Sequence, residues 1–176
     1  MIAKISNIYQ FKITLKYSKP KIWRRIQVPE KYSFKDLHLA IQDVMGWENY
    51  HMHQFEMINP KTGQKDIISM PDDEGFCDPI PEDKVKIAKY FLTPKDKAIY
   101  EYDFGDGWQH EVMLEKILPS VVGTDYPQCI AGERACPPED CGGVGGYEHL
   151  LGIIANPNHE EYEERMIPIA IINAVV

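Results

Sequence analysis

The stretch between residues 98 and 114 restricts the fold more than any other part of this sequence. Ala98-Ile-Tyr-Glu-Tyr-Asp-Phe104 and Trp108-Gln-His-Glu-Val-Met-Leu114 each alternate, and Gly105-Asp106-Gly107 lies between them. Successive side chains of a strand point to opposite faces, so alternation marks a half-buried strand. An Asp-Gly pair supplies the positive φ that a tight hairpin needs. The start of the chain carries a second signal of the same kind. Over residues 8–17, Tyr9, Phe11, Ile13, Leu15 and Tyr17 are apolar or aromatic, while Gln10, Lys12, Thr14 and Lys16 are polar. Ser18-Lys-Pro-Lys21 breaks this run, and residues 22–28 form a second strand ended by Pro29. Two hairpins predict an antiparallel or mixed sheet.

Ser33 opens a helix, with Asp36 three residues on as an approximate capping box and Tyr32 and Leu37 placed as a staple. Phe34, Leu37, Ile41 and Val44 share one face, and Gly46 supplies the stop. Residues 51–58 read as a strand, 59–63 as a turn and 64–69 as a short return strand. Residues 71–83 hold six acids, three prolines and no base, which predicts an acidic surface loop. Residues 84–92 fit helix or strand. Residues 119–146 are rich in Pro and Gly and read as turns. Tyr147, Leu150, Leu151 and Ile154 then recur at helical spacing, closed by Asn156-Pro157. The order predicts an α+β fold of one domain over residues 1–176, with a mixed or antiparallel sheet, a β-grasp-like hairpin-helix-strand core and a C-terminal helix.

Charge narrows the partners. The net charge is −8, but residues 1–100 carry 16 Lys+Arg against 13 Asp+Glu, and residues 101–176 carry 3 against 14. The second half repels a polyanion, so nucleic acid is disfavoured as a partner and a cation or basic group is favoured. No apolar run approaches the roughly 20 residues of a membrane span. The start, Met1-Ile-Ala-Lys, lacks the pattern of a secretory signal, so a cytoplasmic location with reduced thiols is expected for Cys77, Cys129, Cys136 and Cys141.

Four phrases identify a resemblance. Ile22-Trp-Arg-Arg25 with Val28-Pro29, Met45-Gly-Trp47 with His51-x-His53, Tyr102-Asp-Phe-Gly-Asp-x-Trp-x-His110, and Arg134-Ala-Cys-Pro-Pro-Glu-Asp-Cys-Gly-Gly143 resemble the plasmid pRiA4b ORF-3-like family over residues 8–164. The resemblance implies association with plasmids or mobile elements and no particular activity. The apolar tail 165–176 departs from the acidic and aromatic ending usual in similar proteins.

Two groups of residues could carry chemistry. His51 and His53 lie two apart on an expected strand and so share a face, while Asp103 and Asp106 flank the Asp-Gly turn and His110 lies just inside the next strand. Imidazole and carboxylate together suit a divalent metal such as zinc. The same aspartates could instead cap backbone N–H groups of the turn, and the histidines could pack beside tryptophans. The second group is the loop Arg134, Cys136, Glu139, Asp140 and Cys141. It reads as a rigid plug, with two thiol ligands, a redox pair or a Cys141 nucleophile as alternatives. The chain is expected to be a binding or interaction module for a protein or small molecule. A metal-dependent hydrolase using the His/Asp group is the alternative. A nucleic-acid factor using the basic residues around Trp23 is a third reading.

Overall fold

The computed structural model describes residues 6–71 and 79–165. The alternation at the start does what it predicts. Tyr9, Phe11, Ile13 and Leu15 of β1 (Asn7–Leu15) are all buried, at 5% exposure or less. They pack in one core with Phe34, Leu37 and Ile41 of helix α1 (Phe34–Met45). Aromatic edges tie the layers together: the Phe11 and Phe91 ring centroids stand 4.8 Å apart, and those of Phe34 and Phe55 5.1 Å. Each fully buried ring of this kind stabilises the fold by roughly 1.5–3 kcal/mol.

Helix α1 has the caps its sequence predicts. Ser33 Oγ accepts from the Asp36 N–H at 3.1 Å, and Asp36 Oδ2 accepts from the Ser33 N–H at 2.7 Å. Gly46 ends the helix at φ 76°, a left-handed conformation that glycine adopts without a Cβ clash.

Among the described residues, the strands form one sheet of eight. β2 (Trp23–Pro29), β3 (His53–Ile58), β4 (Lys65–Ser69), β5 (Ile80–Pro81), β6 (Lys97–Tyr102), β7 (Trp108–Pro119) and β8 (Gln128–Glu133) join β1 in the order β5-β4-β3-β6-β7-β1-β2-β8. All pairings are antiparallel except β4 with β5, so the class is α+β with a mixed sheet. The first hairpin is flanked by β7, antiparallel to β1, and by β8, antiparallel to β2, and β3 lies three places from β1. Helix α2 (Gly143–Ile154) contains the helix expected from Tyr147, Leu150, Leu151 and Ile154.

Three expectations need correction. The segment read as an acidic surface loop turns back into the fold at its end: β5 pairs with β4, and Glu82 is 3% exposed. The rest of that expectation, residues 72–78, lies outside the described residues, as does the tail 166–176. Residues 84–92 form neither a full helix nor a strand but one 3₁₀ turn (Ile87–Lys89) that buries Val85, Ile87, Tyr90 and Phe91. The stretch read only as turns contains β8 and the first turn of α2. β8 is an edge strand with no buried residue, so it has no alternation to read.

On the face opposite the helix, polar side chains form a ladder across four strands. Gln128 Nε2 donates to Gln27 Oε1 at 2.7 Å, Gln27 Nε2 to Gln10 Oε1 at 3.0 Å, and Gln10 Nε2 to Glu115 Oε2 at 2.9 Å. Arg25 closes the ladder with two hydrogen bonds to Glu115, at 2.6 and 2.9 Å. No helix among the described residues is long and apolar enough to cross a membrane.

Candidate functional site

The turn of the β6–β7 hairpin holds Asp103 in an unusual way. Its φ is 54°, in the left-handed region where Asp is one of the few tolerated side chains. Its Oδ1 accepts from the N–H groups of Gly105 at 2.9 Å and Asp106 at 3.3 Å. Its own N–H donates to the Met52 carbonyl at 2.9 Å, which fixes the chain around His51 beside the turn. One carboxylate oxygen of Asp103 therefore builds the turn. The other, Oδ2, lies 3.7 Å from His51 Nε2.

The loop 134–142 closes over this turn. Trp47 Nε1 donates to the Pro137 carbonyl at 2.9 Å, Tyr147 Oη to the Ala135 carbonyl at 3.1 Å, and the Gly142 N–H to Asp106 Oδ2 at 3.0 Å. Glycine is required where the loop enters α2. A Cβ on Gly143 would stand 2.5 Å from the Asp106 carbonyl oxygen, and one on Gly146 1.8 Å from the Cys141 carbonyl oxygen. Asp140, itself at φ 53°, reaches to 3.0 Å from His51 Nε2, though not in hydrogen-bonding geometry. Glu139 Oε1 accepts from the Glu48 N–H at 2.8 Å and from Tyr102 Oη at 2.9 Å. Burial, and then the Glu139 carboxylate, push the Tyr102 phenol up to about 12, so it remains a donor at neutral pH.

What results is one imidazole nitrogen facing three carboxylates. Nε2 of His51 lies 3.0 Å from Asp140, 3.7 Å from Asp103 and 3.9 Å from Glu139. One side-chain donor atom from each of His51, Asp103 and Asp140 lies within 4.8 Å of the other two. His51 Nε2 and Glu139 Oε2 are shielded from solvent and make no hydrogen bond. Donors bound to one first-row ion at about 2.0–2.2 Å stand about 3–3.6 Å from each other, close to the spacings around His51. Asp140 is exposed, so the cluster opens to solvent on that side.

The expected group of five does not assemble. His51 and Asp103 come together, and Asp106 sits next to them but holds the Gly142 N–H. His53 is buried elsewhere: its Nε2 meets Glu82 Oε2 at 2.6 Å, and its ring stacks on His38 with centroids 3.4 Å apart. His38 in turn bonds Tyr100 Oη at 2.8 Å and Asn49 Oδ1 at 2.7 Å, and burial followed by the neighbouring His53 lowers its pKa to about 4. The expected shared face fails because His51 precedes β3 and only His53 lies in it. His110 is wholly enclosed, bonded to the Trp108 carbonyl at 3.1 Å, and burial lowers it to about 4. From the second group, Glu139 and Asp140 join the site, Arg134 stays exposed, and the thiols do not take part. Burial raises Cys136 to about 11. Burial, and then Asp106, raises Cys141 to about 12. Burial thus works against the thiolate form that a nucleophile or a redox centre uses.

Sequence reasoning did not single out Tyr102, His38 or Glu82. His38 could have been found, because it lies four residues after Phe34 on the buried face of α1. Glu82 carried no signal beyond its place in an acidic run.

A family model for the plasmid pRiA4b ORF-3-like protein matches residues 7–170, which takes in the first residues of the tail. Protein y4hQ of Sinorhizobium fredii, described as uncharacterised, is 34% identical over 163 residues, covering 92% of this chain and 80% of its own length. The crystal structure of MM3350 from Methanosarcina mazei Go1, described as a protein of unknown function, is similar with a TM-score of 0.84 and 50% identity. That match covers 93% of this chain and 90% of the other.

Proposed function

The chain belongs to the plasmid pRiA4b ORF-3-like family, and from that premise we propose that it is a binding module organised around a divalent-cation site. His51, Asp103 and Asp140 are the ligands, and Glu139 is a fourth group beside them. The observation that carries this reading is His51 Nε2, a shielded nitrogen without a hydrogen bond that faces three carboxylates. Buried polar atoms are nearly always partnered, so an orphan of this kind among acids points to a missing cation. A donor set of one imidazole and carboxylates suits zinc, manganese or iron(II). The cation would neutralise the repulsion among the three acids and tie the loop 134–142 to the β6–β7 turn. Its chemistry is that of a binding centre. The hydrolase reading loses the support it drew from His53 and His110.

Metal analysis of protein purified without an affinity tag, followed by zinc and manganese titration calorimetry, tests the site. One equivalent of metal per chain is expected. His51→Ala and Asp140→Asn are expected to weaken binding by at least about 100-fold, and Glu139→Gln by about 10–100-fold. Absence of stoichiometric binding in the parent chain, or equal binding by His51→Ala, would overturn the proposal.

A further inference from the structure

The open face of the sheet holds a second feature, remote from the cation cluster and independent of it. Two bulges flank the β1–β2 pair. Opposite Gln10 and Phe11, β7 contributes Lys116 and Leu114, so Glu115 is the extra residue. Opposite Arg25 and Ile26, β8 contributes Ala131 and Cys129, so Ile130 is the extra residue. A bulge bends its strand, raises the local twist and re-aims a side chain. Here both extra residues line one open depression of about 610 Å³, together with Gln10, Arg25, Lys95, Met113 and Lys116.

The charges of this groove do not cancel. The Glu115 carboxylate accepts three hydrogen bonds, from Gln10 and twice from Arg25, and Arg25 holds its pKa below the usual carboxylate range. It is saturated. No carboxylate among the described residues pairs with Lys95 or Lys116. Lys95 is also held in the left-handed region at φ 82°, where its N–H bonds the Leu114 carbonyl at 2.7 Å. Strained non-glycine residues of this kind cluster at ligand clamps. Met113 and Ile130 add an apolar strip, and Ile130 is 43% exposed.

We propose that this groove binds an extended acidic peptide segment, with two carboxylates on Lys95 and Lys116 and an apolar side chain over Met113 and Ile130. Charge complementarity selects the sign of the occupant. A single-stranded nucleic acid is the competing polyanion, and it needs open aromatic faces for its bases. The aromatic of this region, Trp23, is already engaged by cations. Lys12 and Arg25 cover its ring at 4.7 and 5.0 Å, and its Nε1 bonds Glu133.

Fluorescence anisotropy tests the proposal, using a labelled eight-residue peptide of alternating Glu and Val at low salt. Saturable binding is expected, weakened at least about tenfold in Lys95→Asn/Lys116→Gln and again by moderate salt. Asn is chosen at position 95 because it tolerates positive φ. The same peptide with Gln in place of Glu is expected not to bind, an outcome that does not depend on the folding of the double variant. Absence of saturation, equal binding of the Gln peptide, or tighter binding of a labelled oligothymidylate would overturn the proposal. Inorganic phosphate is expected to compete only weakly, and full displacement by it at low millimolar concentration would reassign the groove to a phosphate-bearing ligand. Asp140→Asn is expected to leave peptide binding intact, which separates this proposal from the cation site.

Discussion

His110 makes the fold sensitive to acid, and one substitution measures by how much. In the unfolded chain its imidazole titrates near 6.5, whereas enclosure in the core lowers it to about 4. Between those pH values only the unfolded chain takes up the proton, so lowering the pH favours unfolding. The stability is whole above 6.5 and is lost as the pH falls toward 4. Linkage over this interval gives a loss of about 2.5 kcal/mol between pH 7.5 and pH 4.5 from this one group. His110→Phe keeps an aromatic of similar volume in the space beside Trp47 and Tyr100. It removes the shielded Nε2, which has no partner, and the bond to the Trp108 carbonyl. At pH 7.5 the variant is expected within about 1.5 kcal/mol of the parent. At pH 4.5 it should have lost about 2.5 kcal/mol less. Urea unfolding followed by tryptophan fluorescence at the two pH values reads both numbers. Other groups titrate in this window, His38 among them, but they are common to both chains and cancel in the comparison. If parent and variant lose equal stability between pH 7.5 and 4.5, His110 is not held neutral by burial and the reasoning fails.

Gly146→Ala brings a Cβ to 1.8 Å from the Cys141 carbonyl oxygen, and it is expected to destabilise the fold by more than about 2 kcal/mol in urea melts. Arg25→Ala removes both hydrogen bonds from a half-buried carboxylate, which should lower stability by about 1.5–3 kcal/mol and raise the Glu115 pKa, as read by carboxylate NMR titration. Cys136 and Cys141 should resist alkylation at pH 8 until denaturant is added, while the exposed Cys129 reacts at once, with sites located by peptide mass mapping.

What could be read from the sequence was what short-range chemistry decides. Ser33, Asp36 and Gly46 define α1 because a cap needs only residues three or four apart. The alternation of Tyr9, Phe11, Ile13 and Leu15 is legible because one face of β1 is buried along its length. β8 is illegible for the converse reason: an edge strand exposed on both sides imposes no period on Gln128–Glu133. The start of α2 was hidden because Gly143 and Gly146 answer to close contacts with Asp106 and Cys141 and not to helix propensity. The site divides in the same way. Asp103 could be suspected from its turn. Its meeting with Asp140, 37 positions away, depends on how Trp47, Glu48 and Tyr102 anchor a loop, and no spacing rule reports such contacts.

The glutamine ladder also determines what the outer edge of the sheet presents at Gln128. An ionised carboxylate can only accept, so Glu115 obliges Gln10 to present its amide nitrogen, and the same orientation is passed on to Gln27 and Gln128. The amide of Gln128 thus turns its nitrogen inward and leaves its oxygen for the outer side of β8, about 14 Å from the charge that set it. A neighbour approaching that border meets an acceptor there. Exchanging Glu115 for a residue that donates would reverse three side chains in register and offer a donor in its place.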